Sequence, residues 1–231
     1  VSGEIAEQLG DAGLDEGMIS IRLSGVAGQS LGAFLANGVS IDVDGTANDY
    51  VGKGMGGGVV TIRPTVDGEG AAHGAGNACL YGATGGRLFV GGTVGQRFAV
   101  RNSGAVAVVE GTSDHGCEYM TGGAVAILGP IGRNVAAGMT GGVLFVWDPA
   151  HDAKRFFADT APPAARPTDE DAARLRSLIE EHVDRTDSGV GRRILDNWDR
   201  ERLRFWVLRP KTPQVPQAVI DDSAETSVWV G

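Results

Sequence analysis

The sequence predicts an all-β solenoid: a right-handed parallel β-helix of about seven short repeats, followed by a small C-terminal helical segment and an extended tail. Three observations carry this. Short Val- and Ile-rich runs follow a glycine or glycine pair six times, with the last glycine of each corner at 38, 58, 86, 104, 123 and 142. The steps of 20, 28, 18, 19 and 19 residues are too short for a unit to bury its own core, so the units must stack. Of the 37 glycines, 34 lie before residue 151 with no Gly-X-Y period, which favours a turn-dense β architecture over collagen.

Residues 1–16 are expected to form an N-terminal cap of one or two helical turns, with Ile5, Leu9 and Leu14 on one side covering the first rung. The solenoid itself spans 17–148. Its regular strands are ISIRL (a weaker first copy after Gly17), VSIDV, VVTIR, RLFV, AVAVV, AVAIL and VLFVW. Their glycine corners exclude a Cβ. A leucine-rich repeat has a similar period but needs a Leu and Asn ladder that is absent. A second strand per unit is expected in QSLGAFL, NDYVGKG, NACLYGA, QRFAVRN, CEYMTG and RNVAAGM, where Ala33, Ala83, Ala99 and Ala136 suit a narrow interior. The long 28-residue step holds a Pro- and Gly-rich excursion at 64–74.

A helical appendage is expected over 149–210. Pro149 stops the last strand, and Phe156 and Phe157 should pack back on the rim. Thr168 caps a helix over 169–186 with Asp169, Glu170 and Asp171 at its positive end and Leu175, Leu178, Ile179 and Val183 as its apolar stripe. His182 falls off that stripe and reads as solvated. A second helix is expected over 189–204, with Val190, Ile194, Leu195 and Trp198 inward. Such short helices must pack on the solenoid or on a neighbour. Residues 211–231 read as an extended tail in which SVWV is an edge strand or a docking peptide.

The formal net charge is -9. Residues 1–150 hold 7 Lys/Arg against 14 Asp/Glu, a balance that speaks against a nucleic-acid partner. No apolar 18-mer or signal peptide is present, so no membrane association and a cytoplasmic location are expected. Cys79 and Cys117 are 38 residues apart, two repeat periods, and a rise of about 4.8 Å per turn separates them too widely for a disulfide. Buried thiols are the expectation.

The residues offer no convincing active site. Asp114, His115 and Cys117 gather an acid, an imidazole and a thiol, but neighbours on a strand point to opposite faces. A polar corner is the simpler reading. Asn48-Asp49, Asn77, Asp114 and Arg133-Asn134 then form an Asn/Asp ladder that caps backbone groups. The four histidines are too scattered for a metal site. The run Gly52-Lys53-Gly54-Met55-Gly56 lacks the Lys-Ser/Thr pair and helix of a P-loop. Lys53 and Arg101 are candidates for a basic spot facing a partner, with Trp198 a third partner-facing residue.

Three long runs, at 28–58, 97–123 and 129–148, resemble the GXGXG domain that ends the glutamate synthase large subunit, and LIEEHVDRTDSGVGRRILDNWD resembles the segment after its β-helix. The resemblance covers most of 17–204. It implies a glutamine-dependent amidotransferase joined to a synthase domain carrying FMN and an iron–sulfur cluster. Ammonia released from glutamine passes through a tunnel to 2-oxoglutarate, and the iminoglutarate is reduced to glutamate. In that family the β-helix carries no catalytic residue and serves as a scaffold. The implied partners are therefore a class II glutamine amidotransferase and an FMN-dependent synthase, with the cofactors in those parts and none in this chain. The sequence has neither an N-terminal nucleophilic cysteine nor a cysteine cluster.

A piece of a longer chain and a free-standing subunit, as in N-methylglutamate synthase-like complexes, both remain open. The 212–231 extension is unlike the usual glutamate synthase ending. The sequence is also similar to the β-helical subunit of formylmethanofuran dehydrogenase, but DYVGKGMGGG and EYMTGG favour the glutamate synthase side. The competing class is an independent enzyme or small-molecule binder using the Asp114-His115 corner or the 64–74 loop.

Overall fold

Glycine corners followed by β-branched residues build one side of a stacked coil in a computed structural model that describes residues 1–65 and 72–211. The chain runs α1 (Ser2–Leu9), β1 (Ile19–Ala27), β2 (Val39–Ala47), β3 (Val59–Arg63), β4 (His73–Ala75), β5 (Arg87–Val90), β6 (Thr93–Val94), β7 (Ser103–Val109), β8 (Thr121–Ile127) and β9 (Gly141–Trp147). It continues through β10 (Ala164–Ala165), α2 (Asp169–Thr186), α3 (Gly189–Asp196), α4 (Trp198–Glu201) and β11 (Phe205–Leu208). The main sheet has the order β1-β2-β3-β5-β7-β8-β9-β11-β10. From β1 to β9 every pairing is parallel, so the architecture is a parallel β-solenoid. The seven expected repeats count its strands. Seven stacked strands enclose six complete turns, because the chain leaves the stack after β9.

The expected second strand of each unit is absent, and a ladder of tight turns stands in its place. The six segments align residue by residue at 30–35, 50–55, 78–83, 97–102, 115–120 and 134–139. In each, the first, third and fifth residues have φ near +60°, as at Arg97, Ala99 and Arg101 (φ 57, 55 and 56). Their N–H groups donate alternately to the turns on either side: Arg97 to Asp114 O (2.9 Å), Ala99 to Cys79 O (2.8 Å) and Arg101 to Glu118 O (2.9 Å). These N–H groups are thus satisfied between turns, and the sixth residue's within its own turn, as where Asn102 N–H donates to Ala99 O (3.2 Å). Ala83, Ala99 and Ala136 are fully buried there, while Ala33 is half-buried.

The glycine corners have a different cause. A Cβ on Gly104, Gly122 or Gly141 would come within 2.0 Å of a carbonyl oxygen in the preceding turn. At 105 an alanine replaces the second glycine. There the buried Asn102 side chain accepts from Ala105 N–H (2.8 Å) and donates to Ala105 O (3.0 Å).

Two cores result. The first fills the solenoid interior with Val43, Val60, Ile62, Leu88, Phe98, Ile127 and Leu144 among others, all fully buried. The second lies on the outer face of the sheet, where Phe89, Val108, Ala126 and Phe145 meet Leu175 and Ile179 of α2 and Ile194 of α3. Strands such as β8 are therefore buried on both faces, which explains their near-continuous apolar runs.

α2 carries the expected cap. Thr168 Oγ1 accepts from Asp171 N–H, and the Asp171 carboxylate accepts from Thr168 N–H. The expected second helix is broken at Asn197 (φ -121, ψ 32), and α4 starts on a new axis that lets Glu201 accept from Trp147 Nε1 (3.1 Å). Four strands, β4, β6, β10 and β11, escaped the sequence reading. β11 pairs antiparallel with β9 and closes the C-terminal end of the stack, and β10 pairs antiparallel with β11. The 64–74 excursion ends in β4, which pairs with β6 in a small second sheet. Its middle, 66–71, and the tail expectation for 212–231 lie outside the described residues. Phe156 and Phe157 are half-buried, with Val135 N–H donating to Phe156 O (3.0 Å).

Candidate functional site

The turn ladder scatters the sequence triad. Asp114 precedes its turn and its carboxylate accepts from the N–H of Arg133 at 2.7 Å. Asp49 does the same for Asn77 N–H (2.7 Å), and Asn77 for Gln96 N–H (2.8 Å). The three are equivalent members of a capping ladder. That hydrogen bond, with the Arg133 guanidinium beside it, outweighs the slight desolvation and holds the Asp114 carboxyl below the usual carboxylate range.

His115 occupies the first turn position (φ 67), and its Nδ1 is 2.7 Å from Glu118 Oε1 and 3.2 Å from Asn134 Nδ2. Cys117, two residues on, points into the interior core and is fully buried. Burial pushes its thiol up to about 12, and that of Cys79 likewise. The acid therefore caps backbone, the imidazole serves a surface hydrogen-bond cluster, and the thiol packs. No nucleophile–base pair is assembled from them.

The cysteines also stand at unequal turn positions, second for Cys79 and third for Cys117, and both are free. An iron–sulfur cluster is held by about four thiolates, so two separate, buried, protonated thiols do not fit one. Among the described residues, no three His, Cys, Asp or Glu side chains converge as metal ligands.

Lys53 and Arg101 are exposed on the outer edge of the turn ladder, at its fourth and fifth positions. Lys53 Nζ stands 5.3 Å above the Tyr50 ring. Phe34 and Tyr119 lie on the same edge, 67% and 57% exposed, each with its ring over a glycine of the next turn, Gly54 and Gly138. The edge is thus an aromatic and basic face. Trp198 differs: it is half-buried against the second core, with Arg176 6.0 Å over its ring.

One buried polar cluster escaped the sequence reading. His182, expected in solvent, is fully buried, 6.3 Å from the Phe89 ring, with Nε2 3.6 Å from Glu110 Oε1. Ser188 Oγ donates to the Glu110 carboxylate and accepts from Gly191 N–H (2.8 Å), capping α3. Neither ring nitrogen of His182 has a hydrogen-bond partner among the described residues, and no His–Ser bond exists. The cluster sits where α2 and α3 dock on the end of β7, so it fastens helices to sheet. The signal for it was Glu110 itself, a carboxylate directly after an apolar strand.

Together these features define a parallel β-solenoid with a helical clasp and no assembled catalytic constellation among the described residues. The GXGXG motif family model matches residues 1–211, and the chain belongs to that family. It is 47% identical over 98% of its length to ferredoxin-dependent glutamate synthase 2, chloroplastic, of Arabidopsis thaliana, covering 14% of that protein. To the glutamate synthase [NADPH] large chain of Azospirillum brasilense it is 47% identical over 91% of its length, again covering 14%. To glutamate synthase [NADH] of Schizosaccharomyces pombe it is 46% identical over 91%, covering 10%. The chain thus spans about one-seventh or less of the relatives it matches.

Proposed function

We propose that the chain is a non-catalytic scaffold, as a domain or a subunit, of a glutamate synthase-type amidotransferase. It would hold a class II glutamine amidotransferase part and an FMN- and iron–sulfur-containing synthase part in the relation that ammonia transfer between them needs. The observation that carries this is the similarity over 91–98% of the chain to one segment of glutamate synthases. Their names specify three different electron donors, ferredoxin, NADH and NADPH. A segment shared by all three suits a structural task common to them better than a task tied to one donor.

The dispersal of Asp114, His115 and Cys117 supports the same reading. So does the exposed edge around Phe34, Arg101 and Tyr119, since aromatic residues and Arg are enriched at protein interfaces. FMN and the iron–sulfur cluster are assigned to the partner parts, and no reaction step runs through this chain. The amino acceptor belongs to those parts as well.

Purification of the tagged chain from its own cells, with mass spectrometry of what accompanies it, tests the reading. A glutamine amidotransferase and an FMN synthase part, as companions or on the same polypeptide, are the expected result. Recovery of the chain alone would contradict it.

A further inference from the structure

The solenoid is closed at one end and open at the other. At the C-terminal end β11 pairs with β9. At the N-terminal end β1 heads the sheet order and pairs only with β2 among the described residues. The expected cap covers it only in part: Ile5 is buried in the interior core and Leu14 packs against that core, while Leu9 is 46% exposed. Ala36 N–H donates to Ser2 Oγ (3.3 Å), and Leu14 N–H donates to Asn37 O (3.2 Å), which ties residues 2–14 to the 36–38 corner.

The register shows what the open edge offers. It is unbroken from Ile19↔Val39 to Ala27↔Ala47. Ile19 N–H donates to Gly38 O (3.0 Å) and Asn48 N–H donates to Ala27 O (3.2 Å), so the odd-numbered residues bond toward β2. In a parallel ladder the alternate residues direct both N–H and C=O to the other side. Ser20, Arg22, Ser24 and Val26 therefore turn their backbone groups to the open edge.

The side chains of Ile19, Ile21 and Leu23 follow Val39, Ile41 and Val43 toward the interior. Leu23 is nevertheless 38% exposed where Val43 is fully buried. A long, nearly uncharged edge of this kind is a template for another strand.

We propose that this open end takes up an extended segment of the glutamate synthase-type partner, which adds to β1 as a further strand; the inference rests on the assembly proposed above. The segment carries apolar residues at alternate positions, over Ile21 and Leu23, and a carboxylate opposite Arg22. The charge pattern specifies the carboxylate. Arg22 is in register with Asp42, which is taken by Arg63 at 3.3 Å, and Arg22 itself has no ion pair among the described residues. It also argues against a second copy of this chain. In antiparallel β1–β1 registers centred on Arg22 or Leu23, Arg22 would face another Arg22, or Ser24 with the second Arg22 on the diagonal, and in no register does the strand ISIRLSGVA offer it an acid. Like charges so placed are destabilising.

Hydrogen exchange on the chain, alone and assembled with the amidotransferase and synthase parts from the same source, tests this. The amides of Ser20, Arg22, Ser24 and Val26 are expected to slow about tenfold or more on assembly. Ser24→Pro removes one outward N–H and none that bonds β2, so folding is retained and partner affinity falls about tenfold. Should Ser24→Pro fail to fold, Arg22→Glu decides, with an expected loss of about tenfold and an unchanged affinity against the proposal. Assembly with β1 amides still exchanging freely overturns the inference and leaves the scaffold reading intact. Protection of β1 by self-association without a partner overturns it in favour of a second copy. Failure to assemble at all overturns both.

Discussion

At the residue scale, the turn ladder reverses an ordinary preference. Arg101 sits in QRFAVRN, whose alternating apolar residues read as a strand, and in a strand a β-branched residue would be welcome. Its φ of 56 makes such a residue an outlier instead. Arg101→Val is expected to destabilise by about 1–3 kcal/mol and Arg101→Gly by less, as denaturant midpoints will show. The sequence hid this because Arg97, Ala99 and Arg101 are not glycines. Cross-turn hydrogen bonds hold them at positive φ, and those bonds are invisible to local propensity. The interior positions of the same turns were legible, since small residues at 83, 99 and 136 mark a narrow core. His182 was misplaced for a related reason. Its helix position gave no hint of Glu110, which a long chain separation brings to it.

Asp148 carries a pH dependence on the same scale. Burial alone would raise its carboxyl, but hydrogen bonds from Trp206 Nε1 (2.8 Å) and from the N–H groups of Asp152 (2.9 Å) and Ala153 (3.2 Å) outweigh that and hold it low. Asp171, bonded by Thr168 and Arg209, is lowered too against its own burial. A carboxyl lower in the folded than in the unfolded state adds stability that is complete above the unfolded value of about 3.9 and is lost as pH falls through the folded one. Thermal midpoints should therefore fall below about pH 4. Asp148→Asn should flatten that slope while costing about 1–2 kcal/mol at pH 7.

At the scale of elements, the glycine corners set the stacking distance. Gly122 has no room for a Cβ, which would meet Ser103 O at 2.0 Å, whereas Gly3 has open space around it. Gly122→Ala is expected to cost about 3 kcal/mol or more, and Gly3→Ala to stay within about 0.5 kcal/mol, in the same unfolding experiment. These corners were plain in the sequence because a Cβ at 104, 122 or 141 would strike a carbonyl of the preceding turn, and the recurrence of glycine there led directly to the solenoid. Helix α2 was equally plain, since its capping box and apolar stripe are local. β11 was not. Four residues, FWVL, gain their structure only from the exposed edge of β9, and no periodicity of their own announces it. The break at Asn197 likewise answers to Trp147 and the sheet, not to helix propensity.

At the scale of the whole molecule, the chain is a rigid stack with one end closed by β11, one face covered by α2 and α3, and an exposed edge of aromatic and basic residues. Its chemical groups are spent on holding that stack together, which is the central claim to test. The turn register supplies the reagents. Asn77 caps the next turn as Asp114 does, Asn134 occupies the position of His115 with φ 62, and Ala99 and Ala136 occupy that of Cys117. The triple variant Asp114→Asn, His115→Asn, Cys117→Ala therefore keeps residues the fold already accepts at each place. The decisive measurement is glutamine-dependent glutamate formation by the assembled enzyme carrying this variant. A scaffold predicts activity within about twofold of the parent, a change of about 0.4 kcal/mol at most. A loss of a hundredfold or more in an enzyme that still assembles, the scale on which a removed acid–base group is felt, would contradict it.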